Sequence, residues 1–318
     1  MRTIRWPCVV KVCLLVAAVG PLCGAQSAGP ATPPVGADAG GSTTAPSSGA
    51  VTGPLSHTVG FIARTLETDG RATGKYQVWV PLDYTRARKW PVILFLHGAD
   101  GCGTDGEKML AQGLPQAIKK RNGKFDFIVV IPQCPSASGW RGSQEKTALA
   151  ALAATFNEYA CDRERLYLTG VSMGANATYA LAAKYPLAFA AIAPVSGIGD
   201  VRSAKTIARI PTWIWHGEAD KTIAADKARR MVDALQKADA VAVKYTELPD
   251  IGEEAWDQAY TGDDLWTWFL RYTCPERPAP TTPTDDGGFR KMDGKMENKF
   301  EKGKFRKMDG KMEPMNPH

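Results

Sequence analysis

The sequence predicts an α/β fold in which a mostly parallel central sheet is covered by helices on both faces. Short, continuous apolar runs such as Val92–Leu96 are typical of strands that are buried on both sides. Longer segments with helix-forming composition, such as the Ala-rich Lys146–Tyr159, separate several of these runs. Strands that alternate with helices predict right-handed crossovers and a parallel sheet, which binds ligands at the carboxyl ends of its strands.

The predicted elements follow one another closely along the chain. The first two strands, Thr58–Leu66 and Lys75–Val80, are joined by a turn at Asp69-Gly70. The further predicted strands are Val92–Leu96, Phe127–Ile131, Leu166–Thr169, Phe189–Val195, Thr212–Trp215 and Val241–Glu247. The predicted helices are Lys146–Tyr159, Ala175–Lys184, Ala224–Ala238 and Asp264–Tyr272.

The first 25 residues have the composition of a secretory signal peptide. Arg2 and Arg5 precede an apolar run from Val9 to Val19, and small residues continue to Ala25. Cleavage after Ala25 would place the mature protein outside the cytoplasm, either secreted or periplasmic. We therefore expect no stable membrane insertion once the signal is removed.

The remaining chain is predicted to have one folded domain between two disordered segments. Residues 26–56 are rich in Ala, Gly, Pro, Ser and Thr, which predicts a disordered linker. Residues 57–274 form the predicted domain. In residues 275–318 the segment Phe-Arg-Lys-Met-Asp-Gly-Lys-Met-Glu occurs twice, from Phe289 and from Phe305, and its alternating charges predict a disordered tail.

Composition limits the partners that we expect. Of the 318 residues, 44% are hydrophobic and 23% are charged, as in ordinary globular proteins. The net charge of +6 is spread along the chain without a basic stripe, so nucleic acid is not an expected partner. We expect neither a metal nor an organic cofactor.

Four cysteines remain after the predicted signal peptide, and an exported protein permits disulfides. Cys102 and Cys134 each follow a predicted strand, whereas Cys161 and Cys274 each follow a predicted helix. This placement at opposite edges of the sheet predicts the pairs Cys102–Cys134 and Cys161–Cys274. The alternative is that all four are buried, unpaired thiols.

Gly170-Val171-Ser172-Met173-Gly174 lies between a predicted strand and a predicted helix. This context is typical of a nucleophile elbow, in which close packing of strand on helix requires glycines around the serine. Ser172 is therefore the candidate nucleophile. Its place at a helix N-terminus favours developing negative charge.

Two further motifs complete most of a hydrolytic site. His97-Gly98-Ala99 follows a buried strand, which predicts that the backbone amides of Ala99 and Met173 form an oxyanion hole. His97 is expected to fix this turn. In His216-Gly217-Glu218-Ala219-Asp220, Asp220 lies beyond a strand and downstream of the serine, so it is the candidate catalytic acid.

Taken in order and spacing, these motifs resemble those of the α/β-hydrolase superfamily. Within it the chain is similar to secreted esterases grouped with polyhydroxybutyrate depolymerases, feruloyl esterases and prolyl-oligopeptidase-like (dienelactone hydrolase-like) proteins. The resemblance spans about residues 58–272 and includes Ile131-Pro132-Gln133-Cys134-Pro135 and Gly252-Glu253-Glu254-Ala255-Trp256. It implies an α/β-hydrolase fold and cleavage of a small-molecule or polymer ester through an acyl-Ser172 intermediate. Trp140 and Trp256 are candidate substrate-binding residues.

One position departs from the family pattern, because Glu253 stands where these proteins carry the catalytic histidine. Three interpretations follow. Glu253 acts as the base beside Asp220, although a glutamate is ordinarily about two pKa units less basic than histidine. Alternatively, the elbow and oxyanion hole retain a weak residual activity. In the third interpretation the protein is a catalytically inactive member of the fold that binds an ester or glycan ligand.

Overall fold

The computed structural model describes residues 58–68 and 71–274, which contain an eight-stranded sheet with the strand order β1-β2-β4-β3-β5-β6-β7-β8. The strands are β1 (Gly60–Thr68), β2 (Arg71–Val80), β3 (Trp90–Leu96), β4 (Ile128–Pro132), β5 (Cys161–Val171), β6 (Ala191–Val195), β7 (Thr212–Gly217) and β8 (Val243–Leu248). The helices are α1 (Leu114–Lys120), α2 (Ser143–Glu158), α3 (Met173–Lys184), α4 (Ala204–Ile207), α5 (Asp226–Lys237), α6 (Trp256–Thr261) and α7 (Asp264–Phe269).

The sheet is parallel except at one end. β2 pairs antiparallel with both β1 and β4, whereas every other adjacent pair is parallel. The carboxyl ends of β3, β5, β6 and β7 therefore meet at one edge of the sheet. This edge carries the segments that hold the predicted site residues.

Both faces of the sheet are covered by helices, as predicted. Along β3, Val92, Leu94 and Leu96 belong to a buried cluster that includes residues of α2, α3, α4 and α5. The alternate residues Ile93 and Phe95 belong to the opposite cluster, which includes residues of α1, α6 and α7. This alternation explains why the β3 sequence is apolar throughout. The α/β-hydrolase fold with a mostly parallel sheet is thereby confirmed.

Three helices, α1, α4 and α6, were not predicted from the sequence. α4 and α6 have four and six residues, which is too short for a clear helical period. α1 contains Pro115 in its first turn, where proline is compatible with a helix because that N–H has no intrahelical partner. α2 begins at Ser143, three residues before the predicted start, directly after Gly142 with its positive φ of 57°.

Several predictions fall on residues outside those described. These are the signal peptide (1–25), the linker (26–56), the tail (275–318) and the Asp69-Gly70 turn. Among residues 58–68 and 71–274, no helix is long and apolar enough to span a bilayer. The same residues contain no cluster of three or more His, Cys, Asp or Glu side chains suited to a metal ion.

The two predicted disulfides are absent from the structure. Cys161 packs in the cluster on one face of the sheet, whereas Cys274 packs against the cluster on the other, so the sheet separates them. Cys102 and Cys134 do lie together at the carboxyl edge, and the neighbouring Cys134 contributes, after burial, to a raised pKa of the Cys102 thiol. The Cys134 Sγ also donates to the Ser136 carbonyl at 3.1 Å. The Cys161–Cys274 pair is contradicted by this separation, whereas Cys102 and Cys134 share the predicted edge and their pairing stays a prediction.

Candidate active site

Ser172 occupies a strained turn between β5 and α3. Its φ of 49° and ψ of −115° lie outside the regions that L-residues ordinarily adopt, and such strain persists where the surrounding structure enforces it. The Ser172 amide donates to the Val195 carbonyl at 3.0 Å, which ties the turn to the end of β6. Among the described residues, none hydrogen-bonds the Ser172 hydroxyl, so Oγ is available to a ligand.

The glycines on either side of Ser172 are required by close backbone contacts. A Cβ atom on Gly174 would lie 1.9 Å from the Leu96 carbonyl oxygen. One on Gly170 would lie 2.5 Å from the Gly174 carbonyl oxygen. Helix α3 therefore begins directly against the end of β3, as the elbow motif predicts.

The turn after β3 supplies the predicted oxyanion hole. Ala99–Gly101 forms a 3-10 turn preceded by Gly98, and a Cβ atom on Gly98 would lie 3.5 Å from Ser172 Cβ. Within the described part of the chain, the amides of Ala99 and Met173 donate no hydrogen bond. Two unpaired N–H groups near a candidate nucleophile are what stabilisation of an oxyanion needs. Their assignment as oxyanion donors stays a prediction.

His97 supports this turn from below. Its Nε2 accepts a hydrogen bond from the Cys134 amide at 2.9 Å, and its Nδ1 contacts the Gly98 carbonyl at 2.6 Å. Because a neutral ring has one donor and one acceptor, these contacts fit the tautomer protonated at Nδ1. Burial lowers the pKa of His97 from 6.5 to about 4, despite the opposing contact with Gly98. With both nitrogens used by the backbone, His97 is a positioning residue and not a base for Ser172.

Trp140 braces the same turn. Its Nε1 donates to the His97 carbonyl at 3.1 Å, and its ring packs edge-on against the His97 ring at 4.9 Å. Only 4% of Trp140 is exposed, yet it lines a cavity of about 200 Å³ that also touches Met173. Trp256, in contrast, is half-buried at the start of α6 and packs against the core. Their roles as substrate-binding residues stay predictions.

Asp220 is held mainly by its own loop. Its Oδ1 accepts hydrogen bonds from the amides of Thr222 and Ile223 at 2.8 and 2.9 Å. Its Oδ2 lies 3.2 Å from His216 Nε2, and both side chains are fully buried. His216 Nε2 also contacts the Ile223 carbonyl at 2.7 Å. That shorter contact takes the N–H, so Oδ2 accepts no well-aligned hydrogen bond from within the described residues.

Glu253 is placed at the same edge by its backbone. The Ser196 hydroxyl donates to the Glu253 carbonyl at 2.6 Å, and the Ala219 amide donates to the Ile251 carbonyl at 2.9 Å. A Cβ atom on Gly217 would lie 2.0 Å from the Gly252 carbonyl oxygen, so the Glu253 turn lies directly against the end of β7. The Glu253 carboxylate has no hydrogen bond or ion pair with other described residues. Its predicted pairing with Asp220 stays a prediction.

Two residues near the site were missed by the sequence analysis. Ser196 follows β6 with a positive φ of 53° and anchors the Glu253 turn. A polar residue directly after the buried strand of β6 is a signal that sequence reasoning could have used. Gln112 places an unpartnered, buried Oε1 3.5 Å from the position of a Cβ on Gly98. No sequence pattern pointed to Gln112.

Comparison with known proteins identifies relatives for part of the chain. The model of the prolyl oligopeptidase family matches residues 140–215, which include the elbow but neither Asp220 nor Glu253. The chain is 34% identical to acetylxylan esterase A of Aspergillus ficuum over 87 residues. This match covers 24% of this chain and 29% of that protein. The chain therefore matches less than a third of the length of this relative.

Solved structures extend the likeness to about two thirds of this chain. A thermostable esterase is 27% identical, with a TM-score of 0.57 over 67% of this chain and 63% of the other. A ferulic acid esterase, at 16% identity, has a TM-score of 0.55 over 66% of this chain and 98% of its own. At that identity the likeness concerns the fold alone. Strand order, elbow and comparisons together show that residues 58–274 have the α/β-hydrolase fold, and that part of this fold, residues 140–215, resembles the prolyl oligopeptidase family.

Proposed function

We propose that this protein is a serine esterase that cleaves a carboxylic ester through an acyl-Ser172 intermediate. The observation that carries the proposal is the strained Ser172 turn, whose hydroxyl, with the neighbouring Ala99 and Met173 amides, has no hydrogen-bond partner among residues 58–68 and 71–274. Backbone strain at a nucleophile persists only where the fold enforces it. The likeness to an acetylxylan esterase supports an ester with a small acyl group, on a small molecule or a polymer.

The proposed mechanism uses groups of this chain only. The Ala99 and Met173 amides bind the carbonyl oxygen while Ser172 Oγ attacks the carbonyl carbon. The serine proton passes to the Glu253 carboxylate. The resulting carboxylic acid returns that proton to the leaving alkoxide when the tetrahedral intermediate collapses. Water then attacks the acyl-enzyme by the same route in reverse and releases the acid.

Asp220 has a different part in this proposal. Its Oδ1 is held by two loop amides, and its Oδ2 lies beside His216 without a well-aligned hydrogen bond, so the carboxylate does not need to move during the reaction. A backbone hydrogen bond from the Ala219 amide to the Ile251 carbonyl joins the Asp220 and Glu253 turns, so in this proposal both carboxylates act at the same edge of the sheet.

A second candidate function is favoured by a specific observation. Glu253 replaces the histidine of the family pattern, and the Ser172 hydroxyl has no base hydrogen-bonded to it among the described residues. A catalytically inactive protein that binds an ester or glycan in the same cleft fits this observation equally.

We further propose export by the signal at residues 1–25, which suits a polymeric substrate outside the cell.

Hydrolysis of para-nitrophenyl acetate between about pH 4 and pH 9 separates the two candidates. We expect wild type to exceed Ser172→Ala at every pH, with Ser203→Ala as the matched serine control. A carboxylate base predicts a rate that has reached its plateau well below pH 6.5, where a histidine base would still be titrating. Equal rates for wild type and Ser172→Ala at every pH would leave the binding protein as the function.

Labelling with a fluorophosphonate gives an independent readout of the nucleophile. Covalent labelling at Ser172 in wild type, absent from Ser172→Ala, is expected if the elbow activates the hydroxyl. Glu253→Gln keeps the size of the side chain but removes its basicity, so it should lose labelling if Glu253 is the base. Unchanged labelling in Glu253→Gln would contradict that role.

A further inference from the structure

A cavity of about 200 Å³ lies between the segment 137–141 and the first half of α3. Met173 lines it, so the cavity begins beside the residue whose amide belongs to the proposed oxyanion hole. Its volume is below the roughly 300–1,000 Å³ of sites that enclose a whole drug-sized ligand. It is therefore sized for one substituent of a substrate held at Ser172.

The cavity has a cation without a counter-charge. Arg141 lines it, and no acidic residue does. In the described ranges, Arg141 makes no ion pair or side-chain hydrogen bond. Glu145, one helical turn further along, is bound instead by Lys184 Nζ at 2.7 Å and Tyr185 Oη at 2.9 Å. The nearest acid along the chain is thus neutralised by other partners.

The second polar group also favours an acceptor as ligand. Asn176 Oδ1 accepts a hydrogen bond from the Ile198 amide at 2.7 Å, which leaves its NH₂ group as the available end. The other lining groups are mainly small and apolar, including Ala137, Ala177 and Ala180. A guanidinium, an amide NH₂ and apolar walls together suit a carboxylate on a short apolar body.

The segment that carries Arg141 is fixed relative to the reaction centre. Trp140, directly before it, is bound through Nε1 to the His97 carbonyl, and His97 holds the turn that contains Ala99. The Cys134 thiol contacts the Ser136 carbonyl at the start of the same segment. The backbone that carries Arg141 is therefore held beside the proposed oxyanion hole, so its exposed side chain can reach a charge on a substrate bound at Ser172.

We propose that this cavity binds a carboxylate on the substrate, so that the preferred ester carries a negative charge close to the bond that is cleaved. This inference rests on the proposed function, which it deepens by naming the class of substrate. The carboxylate can belong to the alcohol part or to the acyl part of the ester. The two are distinguished by the test.

Two matched substrate pairs test the proposal by hydrolysis. Para-acetoxybenzoate and its methyl ester place the charge in the alcohol part. The mono-para-nitrophenyl ester of adipic acid and its methyl ester place it in the acyl part. In one pair, kcat/KM should be roughly tenfold higher for the anionic ester than for the neutral one, because Arg–carboxylate hydrogen bonds are charge-assisted. That ratio should fall as salt concentration rises.

The variants identify Arg141 as the cause. Arg141→Gln should lower the ratio between anionic and neutral ester about tenfold, while Arg141→Lys should retain part of it. Arg209→Gln removes one exposed charge before β7, at the amino edge of the sheet, and should leave the ratio unchanged. A wild-type ratio near one in both pairs, or equal losses in Arg141→Gln and Arg209→Gln, would overturn the proposal.

A binding measurement keeps this test separate from the proposed activity. Para-acetamidobenzoate and its methyl ester resemble the first substrate pair but contain a stable amide. Calorimetric titration of Ser172→Ala should give tighter binding of the anion by roughly fivefold to tenfold, and this preference should be lost in Ser172→Ala with Arg141→Gln. Binding without hydrolysis by wild type would refute the esterase and retain the anion site. Equal binding of both compounds, together with a wild-type ratio near one for the adipate pair, would refute the anion site alone.

Discussion

Acidification tests whether His97 holds the oxyanion turn in the way the structure shows. The side chain is fully buried, and burial lowers its pKa from 6.5 to about 4. Its Nε2 lone pair accepts the Cys134 amide, so a proton there would oppose two N–H groups. Lowering the pH from about 7 to about 4.5 should therefore destabilise the native state through this one ring.

The direction and size of this change in stability follow from the different pKa of His97 in the native and unfolded states. Between about pH 6.5 and pH 4 the unfolded chain binds a proton at His97 that the native protein does not bind. The free energy of unfolding consequently decreases as pH falls through this window, by about 1.4 kcal/mol per pH unit from this group. Over the whole window the loss amounts to about 3 kcal/mol, a large part of the stability of an ordinary domain. Above about pH 6.5 this contribution no longer changes.

Urea unfolding followed by tryptophan fluorescence measures this slope. His97→Gln should be less stable at about pH 7, but its free energy of unfolding should lose less on acidification because glutamine does not titrate. The difference between the two proteins isolates His97 from other titrating groups. Equal slopes for wild type and His97→Gln would refute the reasoning. If the variant does not fold, NMR titration of the wild-type ring decides, since a midpoint near pH 6.5 contradicts the buried neutral state.

Two further predictions concern the loop of Glu253 and the thiols. Gly217→Ala should lower the free energy of unfolding by about 1–3 kcal/mol, because its Cβ would lie 2.0 Å from the Gly252 carbonyl oxygen. Urea titration measures this loss. Stability equal to wild type would show that the contact relaxes freely. Burial, and then the neighbouring Cys134, raises the pKa of Cys102 to about 11. Its reaction with Ellman's reagent at about pH 8 should be on the order of a hundredfold slower than that of free cysteine, and a rate like that of free cysteine would contradict this environment.

The sequence predicted the central sheet well because its signals are local. β3 and β4 are apolar throughout, and that pattern needs no knowledge of their neighbours. The glycines at 170 and 174 are also a local signal, because the geometry of the elbow excludes a Cβ atom at both positions. Spacing alone thus placed Ser172 at the end of a strand and the start of a helix.

The contacts that the sequence did not predict depend on the face of the sheet, or the direction within a loop, in which a side chain lies. Cys161 and Cys274 were predicted at the same edge of the sheet, but they lie on its opposite faces. Their spacing in the sequence does not show which face each one occupies. The contact of Asp220 with His216 was missed for a related reason. It forms within one tight loop, through side-chain directions that sequence periodicity does not specify.

Replacement of Glu253 by histidine tests the whole site at once. The backbone at this position is fixed by Ser196 and by the contact between Gly217 and Gly252, so a new side chain should project from the same place. Asp220 Oδ2 is buried without a well-aligned hydrogen bond, which is the acceptor that an imidazole N–H needs. We therefore expect Asp220 to accept the N–H of a histidine introduced at position 253.

Glu253→His should accordingly raise kcat/KM for para-nitrophenyl acetate by about 10²-fold or more, the usual contribution of a positioned base. The rate should also acquire a limb that rises with pH near 6.5, where imidazole loses its proton. Glu253→His combined with Asp220→Asn should lose most of the gain, because the imidazole then lacks its charged acceptor, whereas Glu253→Gln serves as the size control. A gain without the new limb would point to altered substrate binding. No gain at any pH would mean that the turn does not deliver its side chain to Ser172, and the esterase proposal would then lack a base from this position.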